Sequence, residues 1–223
     1  MEKIQVDNEV ARLRILKAAH EGKRFALQDA VTFQYPKRIQ SLEKELQSLQ
    51  MDLDRRNQAM EVQPGFAITL QGKVYEKHKE AGEVLRGIIE GVTAFTRHEV
   101  GMYKGFQVFV QKDMMEPVLF LQGEKEYSVE LKSSDSGNMV RMENRLNALD
   151  KAVEDVQKEI KTCENEIKNA KQEYAKPFPY EELLKENITR QMEIDAELEI
   201  KDQEECVEVQ EETKNLPCQT AVR

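Results

Sequence analysis

The chain has 223 residues, a net charge of −9, 39% hydrophobic and 34% charged side chains, and no tryptophan. This composition is lean in apolar residues for one compact globule of that length and is typical of long helices. We expect no membrane span, because no run of 18 apolar residues occurs, and no secretion signal, because residues 1–8 lack an apolar core.

The cysteines and the charge distribution point to a cytoplasmic protein with an acidic end. Cys163, Cys206 and Cys218 form no CxxC pair and no metal-ligand spacing, which suits a reducing cytosol. Residues 193–223 hold three basic and ten acidic side chains, a net charge of −7. We expect residues 201–223 to be a solvated, disordered tail.

The first sixty residues are predicted to form a helical arm, either as two helices or as one helix kinked at Pro36. Pro36 is acceptable in a first helical turn and costly in a helix interior. The first part has a rough amphipathic face and the second a regular heptad spacing. These faces comprise Val6, Val10, Leu13, Leu16, Leu27 and Val31, and then Ile39, Leu42, Leu46, Leu49 and Leu53.

Residues 61–135 are predicted to form a small α+β domain of three hairpins and one helix. Alternating apolar residues flank turns at Gln71-Gly72, Lys104-Gly105 and Gly123, which is the pattern of antiparallel hairpins. Residues 78–92 have helical spacing. Three glycines there, Gly82, Gly87 and Gly91, are expected to pack closely against the sheet.

Residues 136–176 are predicted to form one long coiled-coil helix, because apolar residues recur at alternating steps of three and four. Ser136 or Asn138 is the expected N-cap, and Pro177 and Pro179 end the helix. A short C-terminal helix is expected over 177–200. The repeat consists of Met139, Met142, Leu146, Leu149, Val153, Val156, Ile160, Cys163, Ile167, Ala170 and Tyr174.

The expected fold class is therefore α+β: long antiparallel coiled-coil helices flanking a small antiparallel β-sheet domain with one helix. The simplest pairing joins helix 37–60 to helix 138–175 within one chain, because the intervening domain returns the chain. A homodimer through either heptad face is the alternative.

The sequence contains none of the common catalytic signatures: no phosphate-binding loop, GxGxxG, HExxH or GxSxG. His20, His78 and His98 lie far apart in polar surroundings, where a solvated surface histidine is the expected role. The carboxylates are expected on helix exteriors. We predict a chain that is not an enzyme and that has no cofactor and no metal.

A basic cluster in the first two helices is the one candidate for binding nucleic acid. Basic side chains along a helix can neutralise phosphates. The alternative is an ordinary solvated helix face, because Glu9, Glu21 and Asp29 are interspersed. Any DNA binding is expected to be weak and independent of sequence. The cluster comprises Arg12, Arg14, Lys17, Lys23, Arg24, Lys37 and Arg38.

Six segments, in order and with matching spacing, resemble one protein family. They resemble the C-terminal region of the large helicase–DNA methyltransferase proteins of conjugative elements and related phages. The resemblance covers residues 5–200, and it implies a role in handling or protecting mobile-element DNA. The segments are VDNEVARLRILKAAH (6–20), YPKRIQSLEKEL (35–46), FAITLQGKVYEKHKEAGEVL (66–85), VGMYKGFQV (100–108), SSDSGNMVRMENRLNAL (133–149) and AKPFPYEELLKE (175–186).

The chain also departs from that family. The helicase and adenine-methyltransferase motifs that lie upstream in the family are absent here, and the tail from residue 201 does not match. We expect either a terminal fragment or a freestanding gene that retained this module.

The resemblance implies a non-catalytic accessory module that engages DNA or a partner protein in a helicase–methyltransferase system. The alternative is a freestanding anti-defence protein that binds and inhibits a host nuclease, such as a CRISPR effector. A protein partner is expected, DNA is a further candidate, and no membrane is involved. The chain is expected to be a monomer with an intramolecular coiled coil, or a homodimer.

Overall fold

The computed structural model describes residues 2–112 and 116–214, with side chains through residue 200. The mixed α+β class is confirmed. The elements are α1 (Glu2–Asp29), a π-helical segment (Ala30–Gln34), α2 (Tyr35–Val62), β1 (Ile68–Leu70), β2 (Lys73–Tyr75), α3 (His78–Gly91), β3 (Arg97–Tyr103), β4 (Phe106–Gln111), β5 (Val118–Gln122), β6 (Glu126–Glu130), α4 (Asp135–Asn147), α5 (Leu149–Tyr174) and α6 (Glu181–Lys214).

The chain divides into two compact units. The helical unit comprises residues 1–32 and 168–223, and the sheet unit comprises residues 33–167. Within the π-helical segment the chain passes from one unit to the other. Pro36 follows this segment, and it has no N–H to donate to a carbonyl one turn earlier, which accounts for the irregular turn before it.

The sheet unit contains a six-stranded antiparallel sheet in the order β2-β1-β3-β4-β5-β6. The three predicted hairpins are confirmed, with β1 paired to β2, β3 to β4 and β5 to β6. Both central residues of the first two turns have positive φ: 48° and 80° at Gln71 and Gly72, and 48° and 82° at Lys104 and Gly105. Such turns match the right-handed twist of the flanking strands.

One face of the sheet forms the core and the other faces solvent. On β4, Phe106, Val108 and Val110 are buried, whereas Gln107 between them is exposed. Helix α3 packs on β1 and β2, and α4 packs on β6. Burying side chains of this size contributes roughly 1.5–3 kcal/mol each, so this face supplies most of the unit's stability.

Strand β3 contains a bulge at Val100. Glu99 pairs with Phe109 and Gly101 pairs with Val108, so Val100 is an extra residue opposite β4. Its carbonyl accepts a hydrogen bond of 2.9 Å from the backbone N–H of Gln71, in the turn of the β1–β2 hairpin. Only glycine fits at position 101, because a Cβ there would lie 1.8 Å from the carbonyl oxygen of Thr69.

A buried carboxylate joins α2 to the β5–β6 hairpin. Asp52 is 0% exposed and accepts hydrogen bonds from the backbone N–H groups of Glu124 (2.7 Å) and Lys125 (2.9 Å) and from the hydroxyl of Tyr127 (2.7 Å). Gly123 is required beside it, since a Cβ there would lie 2.1 Å from Oδ1 of Asp52. The expectation that the carboxylates lie on helix exteriors is therefore wrong for Asp52.

The segment predicted as one helix over 136–176 is divided at Ala148 into α4 and α5. Nη1 of Arg56, which is 7% exposed, donates to the carbonyl oxygen of Leu146 (3.0 Å) and to the carboxylate of Asp150 (2.7 Å). A side-chain donor inserted into the helical hydrogen-bond ladder breaks a helix at that point. The N-cap of α4 is Ser134, which accepts from the N–H of Gly137, and not Ser136 or Asn138.

Two ion pairs set the direction of α2 relative to α5 within the sheet unit. Arg38, near the start of α2, pairs with Glu159, and Arg56, near its end, pairs with Asp150. The two helices therefore run antiparallel. Leu49 of α2 and Val153 of α5 belong to the same hydrophobic core.

The three glycines of α3 do not pack against the sheet as expected. Gly82 faces the start of α4, where a Cβ would lie 2.3 Å from the carbonyl oxygen of Asp135. Gly87 and Gly91 have nothing within 4 Å of an added Cβ. One glycine therefore permits close helix–helix packing and the other two face open space.

The helical unit is an antiparallel pair of α1 and α6. Polar contacts join them along their length, from Lys3 with Asp195 and Gln191 with Asp7 to Lys17 with Glu181. The apolar centre is small. It consists of Val10, Leu13 and Leu184, with Val6, Phe178 and Ile188 packed around them. Helix α6 continues to Lys214, beyond the expected end at residue 200, and residues 215–223 lie outside the described residues.

Candidate functional site

The seven basic residues do not form one surface within a single unit. Five lie on α1 in the helical unit, and Lys37 and Arg38 lie at the start of α2 in the sheet unit. The five comprise Arg12, Arg14, Lys17, Lys23 and Arg24.

Lys17 and Arg24 are on the inner face of α1, which packs against α6 and the segment before it. Nζ of Lys17 donates to Oε1 of Glu181 at 2.9 Å. The guanidinium carbon of Arg24 lies 4.6 Å from the ring centroid of Tyr174, and its buried Nε has no hydrogen-bond partner. These cations are part of the unit's own packing. The inner face of α1 consists of Val6, Val10, Leu13, Lys17, His20, Arg24 and Leu27, and the predicted Leu16 is not part of it.

Three more of the seven cations have intramolecular partners. Arg12 donates two hydrogen bonds to the carboxylate of Glu9, at 2.7 and 3.0 Å, and these raise the pKa of Arg12. Lys23 lies 3.8 Å from Glu173, and Arg38 pairs with Glu159. Of the seven, Arg14 and Lys37 are the two for which the described residues offer neither an ion pair nor a ring contact, and both are exposed.

A cavity of about 220 Å³ in the helical unit is lined by several of these groups. Glu173 sits among its cations and pairs with both Lys176 and Lys23. The hydrogen bond from Lys176 is the main reason that the pKa of Glu173 lies below its usual value. Lys23 and Lys176 therefore already have a carboxylate partner in this cavity. The lining comprises His20, Lys23, Arg24, Leu27, Glu173, Lys176, Pro177 and Pro179.

The three histidines are not the solvated surface residues that the sequence suggested. His20 packs against Phe178 with ring centroids 5.6 Å apart. His78 stacks on Phe66 at 3.9 Å and pairs with Glu143 at 3.1 Å. Nε2 of His98 is buried without a hydrogen-bond partner.

The His78–Glu143 pair lies in a polar cluster that holds the loop after α2. Burial lowers the pKa of Lys104, whose Nζ donates to the carbonyl oxygens of Gln63 (2.8 Å) and Gly65 (2.5 Å). Burial also raises the pKa of Tyr103. The adjoining cavity measures about 50 Å³, which suits ordered water more than an organic substrate. The cluster therefore acts as a support for this loop.

A groove of the sheet unit lies between the end of α2 and the solvent-facing side of β1 and β3. Its volume is about 440 Å³. Val62 is 87% exposed and Met102 is 49% exposed, and Ala59 and Ala67 complete the apolar lining. The rest of the lining comprises Arg55, Gln58, Gln63, Thr69, Lys104 and Gly105.

The groove's cations, like most of those on α1, have partners within the chain. Arg55 pairs with Glu124 at 3.0 Å, and Lys104 is held by the loop carbonyls. The uncharged amides of Gln58 and Gln63 and the hydroxyl of Thr69 remain at the rim. An apolar centre with a hydrogen-bonding rim is the anatomy of a protein–protein interface.

Residues 2–112 and 116–200 contain no group of three His, Cys, Asp or Glu side chains placed to hold a metal ion. Among the described residues, no helix is both long and apolar enough to cross a membrane. The fold and the groove define a two-unit α+β protein with a candidate protein-binding surface. No protein-family description, curated protein or solved structure matches the chain.

Proposed function

We propose that this chain is a non-catalytic accessory module that binds a partner protein through the groove between α2 and the solvent-facing side of β1 and β3. Following the family resemblance, the partner we propose is the helicase–DNA methyltransferase polypeptide of a mobile element. The occupant of the groove is an apolar segment of that polypeptide.

One contrast carries the proposal. Five of the seven basic residues nominated for phosphate contact already have partners within the chain, whereas Val62 and Met102 expose apolar surface without one. Cations that already have carboxylate partners gain less from phosphate than free cations do. Exposed apolar side chains gain from burial in a partner at roughly 25 cal/mol per Å².

We further propose that α2 and α5 pair as an antiparallel coiled coil, as the heptad spacing predicted, and that this pairing supports the groove. The antiparallel direction set by Arg38–Glu159 and Arg56–Asp150 supports this pairing. Because the groove is built on the end of α2, fixing that helix fixes one wall of the binding surface.

The test compares variants of the groove with a matched variant elsewhere on the same unit. Val62→Asp with Met102→Asp places two charges in the groove. Val140→Asp places a charge at a 43% exposed site on α4, outside the groove lining. Calorimetry with the helicase–methyltransferase polypeptide should show an affinity loss of at least about tenfold for the double variant alone, because charges in an interface centre are desolvated.

Binding that is equal for both variants would place the contact elsewhere and reject the groove. Fluorescence anisotropy with a DNA duplex at two salt concentrations examines the other candidate. Duplex binding that is lost on Arg14→Glu and unaffected by the groove variants would favour the nucleic-acid role. If the groove variants instead relieve inhibition of a host nuclease, the anti-defence function replaces the accessory one.

A further inference from the structure

Helix α1 has a second apolar face, opposite to the one that packs on α6. Its members recur at heptad spacing, and we call this set the outer face of α1. Because the inner-face residues Val10 and Leu13 are buried, the outer face points away from α6. The outer face comprises Ile4, Ala11, Ile15, Ala18, Gly22 and Phe25.

The outer face exposes large apolar side chains. Ile4 is 65% exposed, Ile15 70% and Phe25 74%. An added Cβ at Gly22 would have nothing within 4 Å. Three large apolar residues on one helix face form an exposed patch of the kind that marks an interaction site.

The charges beside the outer face of one α1 helix are complementary to those of a second α1 helix that runs in the opposite direction. Arg14 and Glu21 lie one heptad apart, on the same side of the outer face, and both are exposed. Within the part of the chain that the structure describes, neither has an ion-pair partner. When two copies of such a helix run antiparallel, the arginine of each meets the glutamate of the other.

We propose that α1 pairs through its outer face with α1 of a second copy of this chain, antiparallel and about a two-fold axis between Leu16 and Lys17. In that register Ile15 of each copy lies over Ala18 of the other, and Ala11 lies over Gly22. Ile15 therefore meets a small residue, and the layer of Ala11 and Gly22 permits close approach of the two helices. Ile4 and Phe25 lie towards the two ends of the pairing, opposite Asp29 and Asn8. Arg14 and Glu21 form two identical ion pairs, as a two-fold interface requires.

Other registers of the antiparallel pair are less favourable. Sliding the helices by one heptad brings Glu21 opposite Glu21, and like charges at flanking positions repel. Parallel pairing turns the side of α1 that carries Arg14 and Glu21 towards the opposite flank of the other helix, so the two Arg14–Glu21 ion pairs cannot form. The charges thus select one orientation and one register, and the occupant is a second copy of the same surface.

The test measures the mass of the full chain by sedimentation equilibrium over a range of concentrations. The wild type should form a dimer. Ile15→Glu should weaken the dimer by at least about a hundredfold, because it places two carboxylates, one from each copy, in a desolvated interface. Met192→Glu, at a 66% exposed site on α6 in the same unit, is the matched control and should leave the dimer intact.

A charge exchange distinguishes this pairing from any other dimer. Arg14→Glu and Glu21→Arg should each weaken dimerisation about tenfold, since each creates like-charge pairs, and the double variant should restore it. Circular dichroism checks that each variant stays folded. A monomer at all concentrations, a dimer indifferent to Ile15→Glu, or additive losses in the double variant would each overturn the proposal.

The proposal stands apart from the groove of the sheet unit. The variants Val62→Asp and Met102→Asp should leave the dimer unchanged. Ile15→Glu should leave unchanged the affinity with which each single groove binds its partner. The two proposals therefore succeed or fail separately.

Discussion

The two units obtain their stability in different ways. The core of the sheet unit contains twenty buried side chains, drawn from all four helices of that unit and from five of its strands. The apolar cluster of the helical unit contains Val10, Leu13 and Leu184 as its buried members, and three ion pairs near the surface also join α1 to α6. Exposed pairs contribute about 0–1 kcal/mol each.

This difference indicates where each unit tolerates change. A large apolar core is sensitive to side-chain volume and insensitive to salt, because burial and packing dominate its free energy. A helix pair held by a few apolar contacts and surface charges is less stable locally and opens more readily. We therefore expect the largest mutational effects in the sheet unit and the fastest amide exchange in the helical unit.

The largest effect is expected for Phe106→Ala in β4. Phe106 is 0% exposed, so truncation leaves a cavity and should lower the free energy of unfolding by about 4 kcal/mol. Urea denaturation followed by circular dichroism measures this. Phe95→Ala, at a 61% exposed site in the same unit, is the control and should change stability by less than about 0.5 kcal/mol. Equal losses would refute the assignment of the core.

The next effect is expected for Asp52→Asn. The amide places an NH₂ group where three donors now converge, so one hydrogen bond is lost and a donor faces a donor. We expect a loss of about 3 kcal/mol, because a fully buried donor left without its acceptor is costly. Asp54→Asn, two residues away and exposed, is the matched control. A thermal melt that is the same for both variants would mean that Asp52 is not a link between α2 and the β5–β6 hairpin.

Sequence reasoning identified the hairpins because their signals are local. Gln71-Gly72 and Lys104-Gly105 specify the turn type by their backbone preferences, and period-two alternation marks the inner strand face. Asp52 carried no comparable signal. Its partners are Glu124, Lys125 and Tyr127, about seventy residues away, and a mid-helix aspartate is ordinarily a solvated residue.

The break at Ala148 and the polar middle of the inner face of α1 were missed for related reasons. Heptad spacing continues through Met142, Leu146 and Leu149, so only Arg56, from a different helix, interrupts the ladder. On α1 the inner face continues through Lys17, His20 and Arg24, which are polar. Because these residues use hydrocarbon stems or ring faces for packing, the hydrophobic pattern conceals the face they share.

In the helical unit, Leu13→Ala should have a moderate and local effect. Leu13 is fully buried, but the cluster around it is small and able to collapse, so we expect a loss of about 2 kcal/mol. Hydrogen exchange with mass spectrometry should show faster exchange in α1 and α6 and unchanged exchange in β4. Leu16→Ala, at a 38% exposed site, is the control. Faster exchange in β4 as well would show that the two units unfold together.

The smallest effect concerns alkaline pH and two buried tyrosines of the sheet unit. Burial raises the pKa values of Tyr103 and Tyr127, and in Tyr127 the hydrogen bond to Asp52 adds to this. A group whose folded pKa is raised contributes stability below its unfolded pKa, near 10, and loses it at higher pH. Each should therefore cost about 1.4 kcal/mol at about pH 11, one unit above that value.

Absorbance titration of the tyrosines, with urea denaturation at about pH 9 and about pH 11, measures this. Tyr103→Phe should remove its share of the pH dependence, whereas Phe95→Ala, at a 61% exposed site in the same unit, should leave it unchanged. If all six tyrosines ionise together below the alkaline unfolding transition, the two phenols are not buried.

The bulge at Val100 has a consequence for changes in chain length. Removing this one residue leaves β3 and β4 in regular alternation, with His98, Gly101 and Tyr103 still on the core side. What is lost is the buried side chain of Val100 and the carbonyl that holds the turn of the β1–β2 hairpin. Elsewhere in the strand, a deletion reverses the face of every following side chain. Position 100 is therefore the point of β3 where homologues of different length can align without inverting the strand, provided that the first hairpin is anchored in another way.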